Sequence, residues 1–119
     1  MDENKQYTLY NKMIDFKSYI RNYVVINIPN IHKDIRIHLM DECYKILDNL
    51  FHASYNKGNI RMKYLIEMKC NLSMIDVLIT DINNLKCVKD SYVKSMIGKI
   101  TDIKTIIYGW ILNEENKKK

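Results

Sequence analysis

Apolar residues recur at alternating steps of three and four in four successive stretches of this chain, and the stretches are separated at Pro29, at Gly58 and across 86–91. That spacing keeps one face of a helix apolar, whereas a strand would alternate at every second residue. The first stripe is Leu9, Met13, Phe16, Ile20 and Tyr23, and the second is Ile35, Leu39, Cys43, Ile46, Leu50 and Ala53. The third is Leu65, Met68, Leu72, Ile75, Ile79 and Ile82, and the fourth is Val93, Met96, Ile97, Ile100, Ile103, Ile107, Trp110 and Ile111. No segment reads as a strand, so the fold class is all-α.

The interruptions have physical causes. Pro29 lacks an amide hydrogen and disfavours helix at Ile28, which ends a first helix near Ile26 and starts a second near Ile31. Gly58 can take a left-handed cap, Asn59 suits the start of the third helix, and Asp90 or Ser91 suits the start of the fourth. Helices are therefore expected at about 6–26, 31–56, 59–85 and 90–113, within one domain spanning 1–119. The polar ends 1–5 and 114–119 are expected to fray. Connections this short imply an antiparallel up-down-up-down four-helix bundle. Gly98 and Gly109 fall inside the fourth helix, a placement expected to mark close helix packing.

Composition excludes several functions. There is no charged-then-apolar leader and no long uncharged apolar run, so neither a secretory signal nor a membrane span is expected, and the location is expected to be cytoplasmic. Three cysteines without Cys-x-x-Cys spacing suit a reducing compartment, and Cys43 falls on a core stripe. His32, His38 and His52 lack metal-ligand spacing, and no Glu-x-x-His motif accompanies them. Asp34, Asp41 and Asp48, interleaved with His38 and Lys45, read as a solvated stripe of mixed charge. No phosphate-binding glycine loop or nucleophile elbow is present. The expectation is a protein without catalytic residues, metal or cofactor.

Charge and surplus apolar surface point elsewhere. The formal net charge is +5. Lys12, Lys17 and Arg21 oppose only Asp15 across 6–26, and Lys86, Lys89, Lys94, Lys99 and Lys104 oppose Asp90 and Asp102 across 86–113. First and last helices of an up-down bundle are neighbours, so these residues are expected to merge into one basic face that attracts phosphate backbones. Lys17, Arg21, Lys94 and Lys99 are the expected contacts, with Tyr10 placed to stack on an unpaired base. The third helix carries a second stripe of Met62, Ile66, Cys70 and Val77, and Tyr92, Ile106 and Trp110 widen the apolar arc of the fourth. One core cannot bury both faces, which implies an interface with further copies; the alternative is a protein-interaction module in which this surface serves another partner.

The runs Ile28-Pro29-Asn30-Ile31-His32-Lys33, Cys43-Tyr44-Lys45-Ile46-Leu47 and Ile106-Ile107-Tyr108-Gly109-Trp110-Ile111 resemble the accessory variability determinant of diversity-generating retroelements. The likeness spans about 10–112 in helix order, length and breakpoints. The four-helix proteins encoded by intervening sequences in 23S ribosomal RNA genes share the architecture. Their Asn-Ile-Ala-Glu-Gly stretch is replaced here by Leu47-Asp48-Asn49-Leu50-Phe51-His52-Ala53. The resemblance implies a basic, pentameric assembly that binds RNA or DNA and associates with a reverse transcriptase during mutagenic retrohoming.

Overall fold

The structure is a computed structural model, and residues 3–117 are described. Four helices form it: α1 (Glu3–Tyr23), α2 (Lys33–Tyr55), α3 (Gly58–Leu85) and α4 (Asp90–Asn116). No strand occurs among the described residues. The long axis measures 48 Å against 22 and 19 Å across. α1 packs on α2 and α4, and α3 packs on the same two helices. The apolar stripes meet in one core that contains Leu9, Phe16 and Ile20 of α1, Leu39 and Ile46 of α2, Leu65 and Leu72 of α3, and Ile103 and Ile107 of α4. None of these helices is long and apolar enough to cross a membrane.

The helix limits depart from expectation for local reasons. α1 ends at Tyr23, three residues early, because the extended backbone at Ile28 and Pro29 needs a preceding turn. A 3-10 turn at Val25–Asn27 supplies it, and the Asn27 side chain donates to the freed carbonyl of Tyr23 at 2.9 Å. A second 3-10 turn, Asn30–His32, delays α2 to Lys33. Gly58 has a φ of +61° and opens α3, so Asn59 lies inside the helix and does not cap it. Lys89 precedes α4, and neither Asp90 nor Ser91 caps it.

Two stripe residues fall outside the core. Tyr23 is 46% exposed, with Val24 buried in its place, and Ile97 is 45% exposed. The polar ends are also corrected. α1 already includes Glu3, and α4 continues to Asn116 because Glu114 is buried against Arg61; Met1, Asp2, Lys118 and Lys119 lie outside the described residues. Gly98 and Gly109 are exposed, and a Cβ built on either meets nothing within 4 Å. They mark no close packing within the bundle.

Candidate nucleic-acid interface

Tyr10, Lys17 and Arg21 are spaced seven and four residues apart, which aligns them on one flank of α1. Tyr44 and Phe51, again seven apart, form a matching row on α2. Arg21 Nη2 donates to Tyr44 Oη at 2.9 Å, and Lys17 Nζ lies 5.3 Å from the centroid of the same ring. Tyr10 and Phe51 pack with centroids 6.1 Å apart. Tyr44 and Phe51 are each 47% exposed, so two cations and two accessible rings share one surface along the α1–α2 seam. Cations of this kind attract phosphates, and exposed rings offer π-faces to unpaired bases.

The other expected contacts do not join them. Lys99 lies on the opposite flank of α1, where it donates to Asp15 at 2.8 Å and sits 5.0 Å from the Tyr19 ring. Lys12 approaches Asp102 at 4.0 Å, and Lys104 pairs with Asp76. Between α1 and α4, Lys12 and Lys99 are thus matched by carboxylates, and Lys104 is matched by Asp76 of α3. Lys94 is exposed and makes no ion pair among the described residues. The expected single basic face is therefore corrected to an α1–α2 patch containing Tyr10, Lys17 and Arg21. Sequence reading missed Tyr44 and Phe51, although two aromatic residues beside an apolar stripe and seven apart were the available signal.

The surplus apolar residues divide by helix. On α3, Ile66 is 42% and Val77 54% exposed, Cys70 is exposed and Met62 is half-buried. Tyr92 is half-buried against Tyr23, with centroids 5.4 Å apart, and Ile106 is half-buried against the core. Trp110 is 1% exposed, which removes it from any surface; it completes the core arc with Ile107, and the Arg61 guanidinium lies 5.5 Å from its ring. Its Nε1–H finds no acceptor among the described residues. The indole borders a cleft of about 430 Å³ that Thr8, Thr105, Gly109 and Asn113 also line.

Buried polar groups, none of them anticipated, tie the helices together. Arg61 of α3 donates from Nε to the Ala53 carbonyl at 2.7 Å and from Nη2 to the Ser54 carbonyl at 3.4 Å, covering acceptors left open at the end of α2. Its Nη1 donates to Glu114 Oε1 of α4 at 3.2 Å, and Lys117 reaches the same oxygen at 3.1 Å. Burial raises the Glu114 pKa, but the hydrogen bonds and charges of Lys117 and Arg61 outweigh it and hold the carboxyl below its ordinary value. Between α2 and α3, Asn49 donates to Asn71 at 2.9 Å, and Asn71 donates to Glu42 at 3.0 Å.

The remaining chemistry-bearing residues are dispersed. His52 stacks on Tyr64, with centroids 4.6 Å apart, and lies 3.7 Å from Asp48, while His38, Asp34 and Asp41 are exposed. No three His, Cys, Asp or Glu side chains among the described residues could hold one metal ion. Burial pushes the Cys43 thiol up to about 12, despite the nearby Lys17 charge. No protein-family model, curated protein or solved structure matches the chain.

Proposed function

We propose that the chain is a non-enzymatic, homo-oligomeric adaptor that binds RNA or DNA electrostatically. The observation carrying this reading is the convergence of Lys17 and Arg21 on the exposed Tyr44 ring, with Tyr10 and Phe51 on the same seam. Two cations beside accessible rings suit a single strand better than a duplex, because an unpaired base can stack while its phosphates meet the charges. Ion pairs between α1 and α4 step forward along one helix and backward along the other, from Asp15–Lys99 to Lys12–Asp102, which supports an up-down-up-down bundle. The reverse-transcriptase partner, the cytoplasmic location and a ring of five copies belong to the reading through the resemblance alone.

A fluorescence-anisotropy titration with single-stranded RNA at several salt concentrations tests it. Affinity should fall steeply with salt, and reversing both Lys17 and Arg21 to glutamate should flatten the log–log slope by about 1.4 if each meets one phosphate. Lys94→Glu should change it less. Binding independent of salt, or equally affected by the two variants, refutes the reading. A second reading, a module for another protein, is favoured by Ile26 and Ile31, which are 69% and 83% exposed beside the α1–α2 turn. It predicts no RNA binding at any salt concentration.

A further inference from the structure

We infer that the outer face of α3 is a two-fold interface on which a second copy of this chain packs its own α3 in the opposite direction. This rests on the homo-oligomeric part of the proposed function and replaces a five-fold ring with an isologous pair. The face is apolar in the middle: Ile66, Met74 and Val77 are 42, 46 and 54% exposed, and the exposed Cys70 lies among them. None of these residues belongs to the core. Such a stripe on a helix whose opposite side already fills the bundle has no use for solvent, and singly scattered residues would not align this way.

Charge selects the occupant and its direction. Lys63 and Asp81 are eighteen residues apart, which is five full helical turns, so both lie on the line of this stripe, one at each end. Their Cα atoms are about 27 Å apart at 1.5 Å per residue. Both are exposed, and among the described residues neither makes an ion pair; the Lys63 ammonium lies 5.2 Å from the neighbouring Tyr64 ring. Glu67 lies to the side, lining a groove with Lys45 and Asn71 toward α2. A parallel copy would set Lys63 against Lys63 and Asp81 against Asp81. An antiparallel copy with its axis level with residue 72 sets each Lys63 against the other chain's Asp81 and each Cys70 against the other's Met74. The same reversal opposes the two helix dipoles favourably.

Sedimentation of the full chain, with circular dichroism to verify folding, tests the pairing. The native chain should sediment as a dimer at high micromolar concentration, and Val77→Glu should sediment as a folded monomer. Lys63→Asp and Asp81→Lys should each weaken the dimer about tenfold, because each replaces two weak attractions with two repulsions. Mixing those two variants should restore association as a heterodimer, since every facing pair is then opposite in sign. A native monomer, a pentamer, or a dimer indifferent to these changes overturns the inference. A native monomer that still binds RNA with steep salt dependence overturns this pairing while leaving the electrostatic reading intact.

Discussion

Arg61→Ala should destabilise this fold as much as truncating a core side chain, although Arg61 is charged. Arg61 and Glu114 have side chains only 11 and 6% exposed, and breaking a buried pair of this kind costs about 3–5 kcal/mol, because the remaining charge is left without its partner. Lys117 stays near Glu114 and offsets part of that, which places the expected loss near about 3 kcal/mol. A domain of this size has only about 5–15 kcal/mol in all, and each kcal/mol shifts Tm by about 4 °C. Urea unfolding followed at 222 nm measures it, with an unchanged slope licensing the comparison. The double variant Arg61→Met with Glu114→Met separates two roles. If the ion pair were all that mattered, replacing both partners with apolar groups would be nearly neutral. Arg61 also donates to the Ala53 carbonyl, so the double variant should remain about 1.5–3 kcal/mol less stable than the native chain. A loss under about 1 kcal/mol for Arg61→Ala, or a neutral double variant, refutes the assignment of Arg61 as the tie between α2, α3 and α4.

Gly98→Ala and Gly109→Ala should each raise stability, by up to about 1 kcal/mol, since both sites are helical, exposed and open; a loss in urea unfolding would show that the glycines meet something. Because the Glu114 carboxyl is held below the ordinary value of 4.5, its contribution is complete above that pH and is lost as pH falls through the depressed value. Thermal unfolding of Glu114→Gln should therefore start lower at neutral pH and decline less on acidification; parallel curves would refute this. With an aromatic disulfide reagent at pH 8, and the chain diluted below the concentration at which the α3 faces would pair, Cys70 should react in the folded chain and Cys43 only on unfolding, as its burial and raised pKa require. Rapid labelling of Cys43 in the native state would contradict that packing.

Periodicity made the four helices legible because a stripe sums many small burial terms, and the sum survives an error at one position. Tyr23 and Ile97 obeyed the spacing yet stand at the margin of the core, where the identity of the facing helix decides exposure. Arg61 and Glu114 illustrate the opposite case. Each reads as a solvated charge within its own helix, and burial becomes tolerable only through a partner 53 residues away. The same blindness affected the charge sum: α1 carries a positive excess, but in α4 Asp90, Asp102, Glu114 and Glu115 outnumber Lys94, Lys99 and Lys104, and Asp15 and Asp102 lie on the flank where those helices meet. Counting charges by helix therefore located the cations and misplaced their field. On the flank of α1 toward α2, by contrast, Lys17 and Arg21 meet a tyrosine instead of a carboxylate. A ring satisfies a cation weakly and leaves its full charge available, so the charge on that seam stays open to a polyanion in a way that the charges of the carboxylate-paired Lys12 and Lys99 do not.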